Sequence, residues 1–321
     1  MNNKYLIIDK PSRVELKDGI PYAIAQLTNQ IEANGDTWEF ALNTEISLKV
    51  VDEAFQIFVK NIPIESYTHI MLRGHHSRRD YEIKQMIVEY IESYNKTHKE
   101  SNIKVHNAQF IKTLPHYTKM YQAMVCAQNQ IPYLNTYYKS AGNYNVNELV
   151  DKGDIKTDKV IMKHYTGKND LRWIDGKQKI KKNIFMIEKA EDFNQENFKK
   201  KDKSAFFMQE FIPIGEDFRI FMKGDKYIGG WKRKATTSFI TVDKGEYSNY
   251  NNPSKEILDL SKRTAKAFKS DFVAIDIIEK DGKPYVLEVN MNPGFKAYEN
   301  KVEGTIGVDK ADIAKEIIES F

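Results

Sequence analysis

Hydrophobic positions change their period along the chain, and the change divides it. Residues 4–8 and 68–72 are short apolar runs that read as strands, the second through His69-Ile70-Met71-Leu72. Ile24, Leu27, Thr28 and Ile31 stripe a helix over 21–31. From Tyr81, the positions Ile83, Met86, Ile87, Tyr90, Ile91 and Tyr94 recur at steps of three and four, which predicts an amphipathic helix. Val105 opens another extended piece. Strand and helix in alternation predict a small α/β domain with a parallel sheet, ending near residue 112.

Beyond that point the pattern shortens. Met120, Tyr121, Met124 and Val125 predict a helix over 116–129, which Ile131-Pro132 stops because proline restricts the residue before it. Alternating strands are expected at 160–165, 206–211, 218–223, 227–232, 272–278 and 285–290. A helix over 254–269 opens at Pro253-Ser254 and buries Ile257, Leu258, Ser261, Ala265 and Phe268. A last helix is expected after Asp309 as N-cap, with Ile313, Ile317, Ile318 and Phe321 inward. Strands with helices to one side predict an α+β domain.

Composition narrows the class. A chain of 321 residues suits about two domains, and 41% hydrophobic with 29% charged residues excludes a disordered or collagen-like protein. No run reaches the ~18 apolar residues of a membrane helix, and residues 1–9 read as a first strand rather than a secretory signal. The single cysteine, Cys126, cannot form an internal disulfide, so a cytoplasmic location is expected. A net charge of +4 is too small to argue for nucleic acid. The lysine-rich stretches 177–182 and 199–203 lack interleaved aromatics and read as solvated loop or helix faces.

The strongest local chemistry lies at 274–295. Asp281-Gly282 marks a hairpin between two apolar strands. Asp276 sits among Val273, Ile275 and Ile277, where an unpaired carboxylate is very costly to bury. Alternation puts Glu288 and Asn290 on one face of the second strand, with Tyr285, Leu287 and Val289 on the other. Register decides whether the acids meet. A two-residue turn sets Asp276 against Leu287, whereas a three-residue turn through Lys283 sets it against Glu288, ~4.5–5.5 Å away between Cβ atoms. Two acids and an amide oxygen so placed suit Mg²⁺.

Asp276 followed by Glu288-Val289-Asn290-Met291-Asn292-Pro293-Gly294-Phe295 closely resembles the metal-binding end of the ATP-grasp fold, in the form of the RimK-like carboxylate–amine ligases. The resemblance implies a pre-ATP-grasp α/β domain over 1–112 and an ATP-grasp domain with antiparallel sheets over 113–321, divided at 205/206. It implies that Asp276, Glu288 and Asn290 hold two Mg²⁺ ions, with Mn²⁺ an alternative, on the phosphates of ATP. Lys119, in Thr118-Lys119-Met120, would reach the phosphates. Lys163, at a partly buried strand end before the Gly167 loop, would do the same. Gln209, Glu210, Phe211 and Ile212 resemble the hinge that brackets adenine, Glu210 accepting from the ribose or ordering the loop. Asp217-Phe218-Arg219 matches the family's D-x-R strand, with Asp217 on the nucleotide. Arg219 and Arg233 would stabilise an acyl phosphate, and the turn at Gly294 would offer backbone donors beside it. Residues 234–241 depart from the family pattern, so acceptor identity does not carry over.

Earlier in the chain, Arg73-Gly74-His75-His76-Ser77-Arg78-Arg79 follows a strand and opens a helix. Arg73, Arg78 or Arg79 would grip an acidic substrate; an exposed basic helix start is the other reading. The adjacent histidines lack metal-helix spacing. The implied activity is ATP-dependent ligation of a carboxylate to an amine on a peptide or protein. Its partners are ATP and an amino acid or peptide, with no membrane, and a homo-oligomer remains open. A macrocyclising side-chain crosslinker of a precursor peptide and a non-catalytic ATP-binding scaffold are the alternatives.

Overall fold

The computed structural model describes residues 2–10, 20–74, 78–153, 159–167, 170–174, 177–181, 183–188, 192–193, 198–213, 216–234 and 245–321. Histidines 75 and 76 and most of the 234–241 segment lie outside the described residues.

Strand Lys4–Asp9 is the centre of a four-stranded parallel sheet, flanked by Thr37–Leu42 on one side and by His69–Leu72 and Lys104–Val105 on the other. Its alternate side chains serve two cores. Leu6 and Ile8 pack with Ile87, Val88 and Ile91 of helix Arg78–Thr97, while Tyr5 and Ile7 pack with Ile24, Leu27 and Ile31 of helix Tyr22–Ala33. Burial on both faces explains why the strand reads as an unbroken apolar run. Three further strands, Ile46–Val51, Ala54–Val59 and Ile62–Pro63, form a small antiparallel sheet that the hydrophobic pattern did not predict. Its first turn is carried by Asp52 and Glu53, with φ of 48° and 65°. Both central residues of this tight turn have positive φ, a conformation usually signalled by Asn-Gly or Asp-Gly.

Residues 136–210 build a second sheet, antiparallel, in the order Ile184–Ile187, Val160–His164, Phe206–Glu210, Thr136–Tyr137. The lysine stretch at 177–182 is not a loop or helix face: strand Lys177–Lys181 pairs with Asp170–Ile174.

The third sheet is antiparallel, in the order Glu246–Asn249, Lys226–Lys234, Glu216–Lys223, Phe272–Lys280, Lys283–Asn290. One face, with Phe218, Ile220, Met222, Val273, Ile275 and Ile277, packs on helix Lys255–Ala267, whose N-cap Ser254 accepts from the Ile257 amide. The opposite face is apolar at one end, where Phe221, Trp231, Phe272 and Ala274 meet Phe295 and Tyr298, and polar at the other. The last helix, Ile313–Ile318, is capped by Asp312 and not by Asp309. Asp309 instead accepts from the Thr305 amide at 2.9 Å. Two aspartates three residues apart are equivalent as cap signals, and the tight turn Thr305–Lys310 selects between them. Among the described residues no helix is long and apolar enough to cross a membrane.

His106 ties the parallel sheet to the turn after helix Ile313–Ile318, its Nε2 2.9 Å from Ser320 Oγ. Burial first, then the charge of Arg73, pushes its pKa down to about 3. The unfolded chain takes up a proton near pH 6.5 that the folded chain refuses until about 3. Stability is therefore expected to fall by roughly 1.4 kcal/mol per pH unit across that window as pH drops. Denaturant midpoints from pH 7 to 4 should show this slope, and His106→Asn should flatten it.

Candidate active site

Asp276 and Glu288 face each other, but not by the route expected. Asp281 and Gly282 form a two-residue turn, with φ of 51° and 71°, and Lys280 pairs with Lys283. That register alone would set Asp276 against Leu287. A β-bulge between the Asp276 and Ile277 pairings takes up the extra residue, so Ile277 pairs with Val286 and Asp276 with Glu288. The three-residue turn is thus corrected to a tight turn plus a bulge. Leu287 is the residue displaced, and it turns with Tyr285 toward Leu134, Ile212 and Ile278.

Each carboxylate holds a cation. Arg219, paired across the strands with Asp276, grips it with both arms of its fork: Nε to Oδ1 at 2.7 Å and Nη2 to Oδ2 at 2.8 Å. Lys119 Nζ lies 2.7 Å from Glu288 Oε2. Asn290 Nδ2 is 3.4 Å from Asp276 Oδ2, which closes the group. Burial works to raise the Glu288 pKa, but Lys119, Arg219 and Lys163 together hold it below the usual carboxylate range. Burial likewise works against the Arg219 charge, and Asp276, Glu288 and Asp217 outweigh it and raise its pKa. Two carboxylates and a carboxamide on one sheet face are the oxygen donors a hard divalent cation takes, so the residues present fit Mg²⁺. Arg219 Nη1 also reaches the Gly294 carbonyl at 3.5 Å, and a Cβ added at Gly294 would meet nothing within 4 Å.

The other expected residues divide. Lys163 Nζ donates to Gln209 Oε1 at 2.6 Å on the neighbouring strand, and Gly167 packs against the Lys119 stem. Glu210 is buried and orders the loop: its carboxylate accepts from the Asn135 backbone N–H at 3.2 Å and from Lys280 at 3.3 Å. The Phe211 amide donates to the Lys159 carbonyl at 3.0 Å. Arg233 is closed in a bidentate pair with Asp217, at 2.8 and 2.9 Å, and is 6% exposed. Asp217 raises its pKa against the effect of burial. Arg233, expected near the phosphates, thus stands here in an ion pair within the sheet, and Asp217 with it. Trp231 stands between the two arginines, 5.4 Å from Arg219 and 5.9 Å from Arg233.

Arg73 is likewise not an exposed grip. It is 6% exposed with Nε 3.4 Å from Asp9, burial lowers its pKa, and among the described residues of the cluster Arg78 and Arg79 lie open.

A model of the RimK-like ATP-grasp domain matches residues 118–321. The chain belongs to the RimK-like ATP-grasp family. Among curated relatives it is 23% identical over 193 residues to the coenzyme gamma-F420-2:alpha-L-glutamate ligase of Methanococcus maripaludis, covering 55% of this chain and 65% of that one. It is 31% identical over 121 residues to the probable alpha-L-glutamate ligase of Shewanella loihica, covering 36% and 39%. The matches thus span less than two thirds of these relatives. Two solved structures align nearly end to end. The ATP-grasp ligase PsnB complexed with minimal precursor, Mg and ADP has a TM-score of 0.61 at 16% identity, covering 100% and 99% of the two chains. The macrocyclase MdnC bound with precursor peptide MdnA from Microcystis aeruginosa MRC has a TM-score of 0.62 at 16%, covering 98% of each. These likenesses carry the fold.

Within this RimK-like chain, four polar residues that sequence reasoning missed hold the acidic strand in place. Lys283–Asn290 is an edge strand, and the segment 117–133 covers its free side. Gln122 donates to the Val289 carbonyl and accepts from the Val289 amide, both at 3.0 Å, so its amide acts as a one-residue neighbouring strand. Tyr117 OH donates to the same carbonyl at 3.1 Å. Asn107, at φ 57°, donates to the carbonyls of Phe272 and Met291 and accepts from the Asp271 and Phe272 amides. Asn292 donates to the Leu72 carbonyl, which also accepts from buried Lys84. Lys119 and Gln122 share a helix face at i, i+3, the one signal that could have found Gln122.

Proposed function

We propose that the chain is an ATP-dependent, ADP-forming carboxylate–amine ligase that acts on a peptide or protein. The observation that carries this reading is the bulged pairing of Asp276 with Glu288, with Arg219, Lys119 and Asn290 on the same face. Its parts are an N-terminal domain over 1–112 on the substrate side and an ATP-grasp domain over 113–321 divided at 205/206, working in the cytoplasm.

A carboxylate is a poor acyl donor. Its attack on the γ-phosphate gives an acyl phosphate and ADP, and an amine then displaces phosphate. The chain's work is positioning and charge neutralisation, with no protein nucleophile. Cys126 supports this, since burial pushes its thiol up to about 12. Asp276, Glu288 and Asn290 would hold two Mg²⁺ ions, which when bound offset charge between the phosphates. Lys119 and Arg219 would then pass from the carboxylates to phosphate oxygens, with Lys163 beside them. Gln209 and the Ile212 amide would face adenine. Gly294 would leave room for the acyl phosphate under Arg219, and Arg78 is the open cation on the substrate side.

A peptide acceptor is supported by the end-to-end likeness to PsnB and MdnC, whose structures hold precursor peptides. Glutamate as the amine donor is supported by the curated relatives. ADP release screened over amino acids and acidic peptides, with mass spectrometry of products, tests both. Added residue mass supports end-ligation, loss of one water within a peptide supports crosslinking, and ATP binding without release under any acceptor would leave a scaffold.

Gln122→Met should leave the Val289 amide unpaired, its carbonyl keeping the Tyr117 hydroxyl, and lower stability by roughly 1–3 kcal/mol. With the acidic strand loosened, the Mg²⁺ needed for half-maximal ADP release should rise by about tenfold, equivalent to ~1.4 kcal/mol. A Mg²⁺ titration at saturating ATP reads it.

A further inference from the structure

Three strand ends of the parallel sheet leave polar groups unmatched. Asp9 closes strand Lys4–Asp9, Asn43 follows Thr37–Leu42, and Arg73 follows His69–Leu72. Helices Tyr22–Ala33 and Arg78–Thr97 pack on opposite faces of the sheet, which puts a crevice at the carboxyl ends between them. Arg73 Nε is buried and lies 3.4 Å from Asp9 Oδ2 without completing a hydrogen bond. Asn43 donates Nδ2 to the Gly74 carbonyl at 3.2 Å, while its buried Oδ1 finds no donor. Lys84 reaches in from its helix, 2% exposed, and among the described residues its ammonium bonds the Leu72 carbonyl alone, at 3.2 Å. Asp9 cannot move to serve both cations. Its Oδ1 accepts from the Lys10 amide at 2.6 Å, and Gly74 packs so closely that a Cβ there would meet that oxygen at 2.0 Å. The other acid, Asp80, holds Lys10 at 2.9 Å. His106, on the neighbouring strand end, is kept neutral by burial and by Arg73 and adds no charge. One acid thus faces two buried cations, and a donor and an acceptor stand unused beside them.

We propose that this crevice holds a second, non-reacting carboxylate of the peptide substrate, its oxygens on Arg73 and Lys84 and the amide N–H beside it on Asn43 Oδ1. The proposal rests on the ligase reading for the word substrate, but the binding chemistry stands on the crevice alone. One added negative charge balances Arg73 and Lys84 against Asp9, and an unpaired buried charge is otherwise costly. The empty crevice meets that cost by losing a proton: burial first, against Asp9 and with Arg73, pushes Lys84 down to about 7. A carboxylate suits the planar fork of Arg73 better than a dianionic phosphate, which would overfill the charge. The orphan acceptor on Asn43 asks for an N–H next to that carboxylate, which a peptide's chain end or acidic residue presents. The place also fits. The Leu72 carbonyl accepts from Lys84 and from Asn292, two residues before Gly294, so the crevice lies beside the reacting turn rather than on it. A carboxylate held here is a handle that orients the substrate, while the one to be activated lies under Arg219.

Calorimetric titration of capped probes into the full chain, without ATP, tests this. Acetyl-dialanine carries a terminal carboxylate, acetyl-aspartyl-alanine amide a side-chain one, and acetyl-dialanine amide none. No probe has an amine to ligate, so an inactive enzyme would leave these titrations as they are. One of the two acids should bind at millimolar concentration, and the neutral amide about a hundredfold more weakly. Whichever acid binds names the source of the carboxylate. Lys84→Met removes a buried, under-paired charge at similar volume and leaves the Leu72 carbonyl its bond from Asn292, so it should melt no lower than the wild type. It should nevertheless lose most of that hundredfold preference. Arg73→Lys keeps the charge without the fork and should lose about tenfold. At pH 8, above the Lys84 value of about 7, binding should draw in about one proton, read from the dependence of the heat on buffer ionisation enthalpy. Lys84→Met should draw in none. Equal binding of acids and amide, no binding of either acid up to about 10 mM, or a preference that survives Lys84→Met would each overturn the proposal.

Discussion

Glu288→Gln is expected to lower acceptor-dependent ADP release by at least ~10³-fold, a loss of about 4 kcal/mol of transition-state stabilisation. The substitution keeps the side chain's shape, so the bulge, the edge bonds of Val289 and the contact at Lys119 remain possible. What it removes is one of the two facing negative charges. Three cations, Lys119, Arg219 and Lys163, act on Glu288 and hold it ionised. With the acid gone only Asp276 opposes their field, so the variant should bind ATP without Mg²⁺ at least as well as the wild type while losing the gain that Mg²⁺ brings. Thermal unfolding should stay cooperative. Calorimetric titration of ATP with and without Mg²⁺, beside the turnover assay, reads both effects. Unchanged turnover would remove Glu288 from the metal site, and loss of ATP affinity in both conditions would make it a nucleotide-pocket residue instead.

The face that carries this chemistry was legible in the sequence because strands alternate. Asp217 and Arg219, and Glu288 and Asn290, stand two apart and so share a side. The hairpin register was less legible. A bulge leaves no residue signature of its own, and Leu287 occupies it only because Ile278, Leu134 and Ile212 offer an apolar patch that lies in other parts of the chain. Long-range partners were least legible. Asn107 and Gln122 bond main-chain groups 164 to 184 and 167 residues away, and nothing in a local pattern of period two or 3.6 reports such contacts. The same reason hid the Asp9–Arg73 pair and the closure of Arg233 on Asp217: an arginine in a motif reads as a free cation until the acid beside it in space is known.

That distinction separates the two arginines of the sheet by experiment. Arg219 and Arg233 sit on adjacent strands, each forked onto an aspartate and each against Trp231. Arg233 and Asp217 are both nearly closed to solvent, with side chains 8% and 10% exposed, whereas Arg219 keeps 23% and points its remaining Nη1 to Gly294. Removing one partner of a buried pair leaves an uncompensated charge, so Arg233→Met should cost about 3–5 kcal/mol of stability. Asp217→Asn with Arg233→Met should recover most of it, because no charge is then left unpaired. Arg219→Ala should do the reverse. Its pair is wetter, so solvent takes over part of the lost interaction, and the stability cost should stay near 1 kcal/mol. The rate should fall by roughly 10²–10³-fold, since the planar fork beside the open Gly294 turn is the group placed to meet charge that develops as the acyl phosphate forms. Arg219→Lys keeps the charge but not the fork, and should fall between the two. Denaturant midpoints and single-turnover ADP release on the same four proteins decide the matter: a rate loss at Arg233→Met that outlasts rescue by Asp217→Asn would return that arginine to the reacting phosphate.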